Sequence, residues 1–182
     1  GQGKEVEFRA EGLEVQADRL VLQALKDPVM HLLRNAVTHG IGTPAERVSA
    51  GKPPAGAVRL RIGSHGGRLQ VVVEDDGKGI DLKAVAAAAA RRGLLAESDA
   101  AAQAPEDLLR LLFQPGFSTS INVTSYSGRG MGLSVVQQAV GRLQGEIAVR
   151  RGAAGGSAFV ISTPLSISTQ HVLLLEAGGA VF

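Results

Sequence analysis

Hydrophobic and polar positions change period several times along the chain, and each change marks an element. Residues 4–15 alternate loosely, which predicts an edge strand pair or an extended lead-in. Asp18 to Ala24 reads as a short helix. Asp27-Pro28 is a helix start, with Asp at the N-cap and Pro at the first helical position. The helix it opens runs to Thr38 or His39 and stops at Gly40. Residues 42–56, rich in Gly, Pro and Ala, read as a loop. Two apolar strands follow, 57–64 and 69–74, joined by a His65-Gly66-Gly67-Arg68 turn. Asp81 caps a helix to Arg92 that Gly93 terminates. Pro105-Glu106-Asp107 opens a short helix ending near Phe113, and the aperiodic, polar stretch 115–127 reads as a mobile loop. A third long helix spans 130–143 and closes at Gly145. Strands 146–151 and 158–162 flank a Gly152–Gly156 turn, and a last strand is expected at 172–175.

Helices and strands arrive in groups rather than in strict alternation, which favours an α+β sandwich over a doubly wound fold. The expected architecture is two-layered, with about three helices on one face of a mixed sheet. At 182 residues and 45% hydrophobic content, one domain with a sizeable core is expected, with room for a fragment of another.

The helix ending at Gly40 is the first segment whose polar side carries chemistry. His31, Arg34, Asn35, Thr38 and His39 fall within an arc of about 140°, with Val29, Leu32, Leu33, Ala36, Val37 and Gly40 opposite. An amide carbonyl at Asn35 suits Mg²⁺ held mainly by phosphate and water, and His31 one turn earlier can orient or deprotonate a nucleophile. The same stripe also fits a solvated helix face. His31 and His39 are eight apart, without the spacing of helical zinc motifs.

A second cluster follows an apolar strand: Val71-Val72-Val73 leads through Glu74-Asp75-Asp76 into Gly77-Lys78-Gly79. A carboxylate at a strand end can accept from an adenine amino group while glycines let the ring approach the backbone. A strand-to-helix turn that needs glycine has the same pattern. The third cluster, Gly128-Arg129-Gly130-Met131-Gly132, precedes a helix whose exposed N–H groups are a candidate phosphate site, provided no Cβ blocks the approach. Its spacing is neither the Rossmann fingerprint nor a P-loop.

Composition removes several alternatives. A formal net charge of +2 does not call for a polyanionic partner, and 3% aromatics is poor material for stacking single-stranded bases. Without cysteine, disulfides and thiolate metal sites are excluded. No apolar run has the roughly 18 residues a bilayer span needs, so no membrane insertion and a cytoplasmic location are expected.

Taken in order, the Asn-bearing helix, Asp-x-Gly-x-Gly, a Phe-containing segment and Gly-x-Gly resemble the GHKL ATPase superfamily, the Bergerat fold. His31 to Asn35 is similar to its N box, Asp75 to Gly79 to its first glycine box and Gly128 to Gly132 to its second. Leu112-Phe113-Gln114-Pro115-Gly116-Phe117-Ser118-Thr119 is similar to the F box of histidine kinases. Residues 27–35, the Glu46-Arg47…Gly51-Lys52-Pro53 loop and Ser127 to Gly132 resemble the CheA-type chemotaxis kinases. The resemblance covers about residues 4–165.

The resemblance implies that Asp75 recognises adenine, with Gly79 shaping the base pocket and Gly77 between them. It implies Mg²⁺ on Asn35, His31 and His39 near the phosphates of ATP, and a cradle of Gly128, Gly130, Met131 and Gly132. Phe113 and Phe117 would anchor a lid or simply pack. Lys78 and Arg129 are candidate phosphate contacts or plain exposed charges, and Ser157 falls where the superfamily often has a Thr near adenine. Further implied are a histidine phosphotransfer domain as substrate, a response regulator downstream, and an adaptor protein and chemoreceptors reached through a regulatory β-barrel begun by residues 166–182. Thr38 stands where the family usually has Asp, and Leu133-Ser134 replaces Met-Asp. His31 occupies the position where gyrase and chaperone ATPases have Glu, which speaks against a hydrolase. A non-catalytic nucleotide-binding scaffold is the remaining alternative.

Overall fold

The computed structural model describes residues 3–96, 103–117, 132–166, 176–177 and 180–181. Strand β1 (Val6–Glu11) precedes helix α1 (Arg19–Asn35), which runs straight into a π-helical turn (Ala36–Gly40). Helix α2 (Pro44–Ser49), strands β2 (Gly56–His65) and β3 (Arg68–Asp75), and helices α3 (Leu82–Arg91) and α4 (Pro105–Leu111) follow. Helix α5 (Leu133–Arg142) leads to β4 (Glu146–Arg151) and β5 (Ser157–Pro164), and a small pair, β6 (Glu176–Ala177) and β7 (Ala180–Val181), stands apart from the main sheet.

Among the described residues the main sheet has the order β1-β2-β3-β5-β4. Only the β1–β2 pairing in it is parallel, so the expected mixed sheet is present. The β2–β3 hairpin turns on Gly66 and Gly67, both at positive φ (57° and 72°), as a two-residue primed turn requires.

Period-2 alternation on β3 sends Leu69, Val71 and Val73 to the helical side. There they join Val21, Leu25 and Leu32 of α1, Val136 and Val140 of α5, and Phe159 and Ile161 of β5 in the main core. Asp75 is next in that row, so the strand that builds the core also delivers a carboxylate to its end. A second cluster packs the Ala face of α3 on Leu108 and Phe117, where Arg92 lies 5.4 Å over the Phe117 ring. Both candidate lid anchors are buried: Phe113 belongs to the main core and Phe117 to this smaller one.

Four sequence expectations change. The short helix expected from Asp18 and the helix expected to start at Asp27 are one continuous helix, capped at Asp18, whose carboxylate accepts from Leu20 N–H at 2.7 Å. Pro28 sits inside α1 and forgoes one backbone bond, but it is itself buried in line with Val21, Leu25 and Leu32. That continuous apolar face outweighs the local break. The stretch 42–56 contains α2, opened by a capping box in which Thr43 and Glu46 satisfy each other's backbone. The lead-in at 4–15 yields one strand, not a pair. The turn closing α5 takes its left-handed residue at Gln144 (φ 54°). Gly145 is needed instead for close approach, since a Cβ there would lie 2.6 Å from Thr163 Cγ2. The strand expected at 172–175 and the loop 118–127 lie outside the described residues.

Candidate nucleotide site

The π turn shapes the end of α1. Its wider winding turns Val37 outward to 37% exposure, against the expectation that it faces the core, while Ala36 stays buried. Carbonyls freed at a helix end need donors, and Lys4 Nζ supplies them to Val37 O at 3.0 Å and Thr38 O at 2.7 Å. Gly40 ends the turn, and its carbonyl accepts from Lys78 N–H at 3.1 Å. The polar helix and the first glycine cluster are thereby joined by a backbone bond.

Asp75 is the centre of the site. It is 3% exposed. Its Oδ1 accepts from Gly77 N at 2.9 Å and Ser157 N at 3.4 Å, and its Oδ2 accepts a short bond from Ser157 Oγ. An ionised carboxylate has about four acceptor positions, so three protein donors leave Oδ2 able to take one more. Glycines wall the group on several sides. A Cβ on Gly40 would lie 2.9 Å from the Asp75 carboxyl carbon, one on Gly77 2.0 Å from Gly40 O, and one on Gly156 2.0 Å from Asp75 O. Gly79 (φ 73°) approaches Gly155 O across the same space. A buried carboxylate with one vacant acceptor direction in a glycine-walled recess suits a flat ring carrying an amino group.

Beside it opens a cleft of about 440 Å³ lined by Thr38, His39, Gly77, Lys78, Lys4 and Lys52 among others. Its charged lining is four cations, Lys4, Arg47, Lys52 and Lys78, to one acid, Glu46, a balance that favours an anionic ligand. His31 and Asn35 lie half-buried on the last turns of α1. Partial burial, then the charges of Arg34 and His39, hold the His31 pKa below its ordinary value. Partial burial, then Lys4 and Lys78, do the same for His39. Both imidazoles are therefore neutral near pH 7 and able to accept a proton.

The pH dependence follows from that direction. The unfolded chain binds these protons more readily, so the folded state is favoured fully above about pH 6.5. It loses ground as pH falls below that, until the folded-state values are passed. Urea midpoints are expected to decline between pH 7 and 5, with a shallower decline in His31→Gln. An unchanged slope in that variant would contradict the assignment. Asp76 acts in a lower window. Burial pushes its pKa up, but hydrogen bonds from Arg47 and Ala57 and the charges of Arg47 and Lys52 bring it below its usual value. Its contribution is present above the ordinary carboxylate range and is lost as pH drops through the lowered value.

Of the sequence candidates, Asp75, Gly77, Gly79 and Ser157 converge directly, and His39 and Lys78 meet across the cleft. Gly132 is the N-cap of α5, and among the described residues no side chain caps that terminus, where a helix presents its first N–H groups. Gly128, Arg129, Gly130 and Met131 lie outside the described residues. Sequence reasoning passed over Gly40, read only as a helix stop, and Gly156, read only as a turn. It also missed the ion pair of buried Arg47 with half-buried Asp76, which the acidic doublet Asp75-Asp76 signals: two adjacent carboxylates at a strand end need separate partners.

Residues 23–167 match the family described as histidine kinase-, DNA gyrase B-, and HSP90-like ATPase. The chain belongs to that family. Three curated relatives of this ATPase domain align over nearly its full length. The gliding motility regulatory protein of Myxococcus xanthus is 39% identical over 100% of this chain and 23% of its own length. The chemotaxis protein CheA of Treponema pallidum is 40% identical over 98% and 22%, and that of Bacillus subtilis 38% over 95% and 26%. The chain thus spans about a quarter of the length of these relatives. Among solved structures, the catalytic domain of histidine kinase ThkA superposes with a TM-score of 0.56 at 20% identity, covering 88% of this chain and 80% of that one. The mycobacterial sensor histidine kinase MprB gives 0.51 at 20% identity, with 87% and 81% covered. At these identities the structural likeness establishes the α+β fold. Among the described residues no helix is long and apolar enough to cross a membrane.

Proposed function

We propose that this ATPase-family domain binds Mg·ATP and passes the γ-phosphoryl group to a histidine on a separate phosphotransfer domain, within a two-component chemosensory pathway. The observation that carries the reading is the Asp75 carboxylate, buried at the end of β3, walled by glycines and left with one acceptor position. In this reading Asp75 takes the adenine amino group, Ser157 and Gly77 hold the carboxylate in aim, and Gly79 lets the ring lie against the backbone. Lys78, Arg129 and the glycines 128, 130 and 132, with Met131 among them, face the phosphates.

His31, Asn35 and His39 serve the reacting end. Among the described residues no group of three or more His, Cys, Asp or Glu side chains is placed to hold a metal. A single amide oxygen at Asn35 fits an ion bound chiefly by phosphates and water. When bound, Mg²⁺ would neutralise charge on the β- and γ-phosphates. The neutral His31 imidazole can orient the attacking nitrogen or take its proton. As the new N–P bond forms, the bond from γ-phosphorus to the bridging oxygen breaks and ADP leaves. None of the four His residues here lies in a recognisable phosphotransfer helix, so in this reading the acceptor is a histidine of a separate phosphotransfer domain outside these residues. An adaptor protein and chemoreceptors would act through the regulatory domain that residues 166–182 begin, with a response regulator downstream, in the cytoplasm.

The test is transfer of label from γ-labelled ATP to a chemotaxis phosphotransfer domain. Label on that partner is expected with the wild-type chain. With Asn35→Ala a loss of about 100-fold or more in rate is expected, comparable to removing one transition-state stabiliser. A wild type that binds Mg·ATP yet labels no phosphotransfer domain would instead support the scaffold reading.

A further inference from the structure

We propose that Arg47 and Lys52 are positioning residues for the base-recognising carboxylate: from α2 and the loop after it, they fix the turn that aims Asp75 and the Gly77 amide into the recess. The inference rests on the adenine role given to Asp75 above. It begins with an oddity of burial, for Arg47 is 3% exposed, and a guanidinium is not buried without full pairing. Its Nε donates to Pro53 O at 2.7 Å, and Nη1 and Nη2 grip the Asp76 carboxylate at 3.0 and 2.8 Å. Ala57 N–H donates to Asp76 Oδ1 at 2.8 Å from the other side. The carboxylate that follows Asp75 is therefore clamped between α2 and β2.

Lys52 completes the clamp. Its Nζ donates to Asp76 O at 2.8 Å and Gly77 O at 2.7 Å, and reaches Ala154 O at 3.5 Å. Gly77 is a residue with wide conformational freedom, yet its N–H must point at Asp75 Oδ1 and stay there. Pinning the carbonyls on both sides of that residue removes the freedom. Ala154 lies in the turn leading to Ser157, the other donor to Asp75, so one ammonium ties both walls of the recess together. These cations face the cleft, but their hydrogen bonds are committed to the protein. Their work is geometric, and bidentate geometry is something a lysine at position 47 cannot reproduce.

Base discrimination reads this geometry directly. A site that accepts from an amino group rejects an analogue presenting a carbonyl there, because the buried acceptor is left unpaired. Inosine triphosphate is such an analogue, differing from ATP at that group. Calorimetric titrations of Mg·ATP and Mg·inosine triphosphate into the wild-type chain, Arg47→Lys and Lys52→Met measure it, with urea unfolding of each. The wild type is expected to prefer ATP by on the order of 100-fold. Arg47→Lys should lose roughly 10-fold or more of ATP affinity, as for a sub-ångström to ångström misplacement, with inosine triphosphate little affected. Lys52→Met should lose discrimination in the same direction but by less.

A purely structural clamp would lower the urea midpoint and leave the ATP preference of folded molecules intact. That result in both variants overturns the inference while leaving the Mg·ATP reading standing. If Arg47→Lys does not fold, Lys52→Met decides alone: reduced preference supports the inference and unchanged preference overturns it. A folded wild type that binds neither nucleotide overturns the Mg·ATP reading and this inference with it.

Discussion

Gly77→Ala is expected to destabilise the domain by about 3 kcal/mol or more, at the upper end of what overpacking costs. The added methyl would lie 2.0 Å from Gly40 O, 2.3 Å from Gly40 C and 2.9 Å from Asp75 Oδ1. Two of these neighbours are backbone, so no side-chain rotation relieves the contact. Moving Gly40 aside breaks its bond from Lys78 N–H and disturbs the end of the π turn. Moving Gly77 aside opposes the bonds from Lys52. With a urea slope of about 2 kcal/mol per molar, the midpoint should fall by roughly 1.5 M. Gly63→Ala is the control: it lies in β2 with nothing within 4 Å of a Cβ, and its midpoint should stay within about 0.5 M of wild type. Equal midpoints for the two variants would show that the glycine wall is looser than described.

Asp75→Asn is expected to leave the fold nearly intact and to lower ATP affinity by at least about 100-fold. The amide has the same shape, and Ser157 Oγ can turn from donor to acceptor to satisfy its NH₂ group. What changes is the polarity of the vacant direction on Oδ2, which becomes a donor facing a donor on the base. A hydrogen bond to a charged group contributes about 1.5–3 kcal/mol, and facing donors add repulsion, so about 2.7 kcal/mol or 100-fold is a lower bound. A variant with unchanged urea midpoint and unchanged ATP affinity would remove Asp75 from base recognition.

Much of this site is legible in sequence because its parts sit at element boundaries. Asp75 falls where the Val71–Val73 run meets Gly77, and period-2 counting alone puts it on the helical side with Leu69, Val71 and Val73. The α3 cap at Asp81 and the stop at Gly93 (φ 68°) are local chemistry, and both occur as read. Reading failed where long-range packing overrode a local signal. Pro28 looks like a helix start, yet burial of one continuous face carries α1 through it. Val37 belongs to the apolar arc at 100° per residue, but the π turn changes the angle and exposes it. Helix α2 was hidden by surrounding Gly and Pro, although Thr43-Pro44-x-Glu46 spells its cap.

The Arg47–Asp76 clamp shows a different limit. An acidic doublet signals a need for partners, but which cation answers which acid is set by how α2 folds back onto the β3 end. No periodicity encodes that. The roles of Gly40 and Gly156 are similarly non-local: each is required by the position of Asp75, far away in sequence, rather than by its own turn.

The measurement that tests the central claim most directly is calorimetric titration of Mg·ATP into the wild-type chain beside Asp75→Asn. Saturable one-to-one binding by the wild type, lost in a variant that remains folded, is the predicted result. A folded wild type that gives no binding heat, or an Asp75→Asn variant that binds as tightly as wild type, would contradict it.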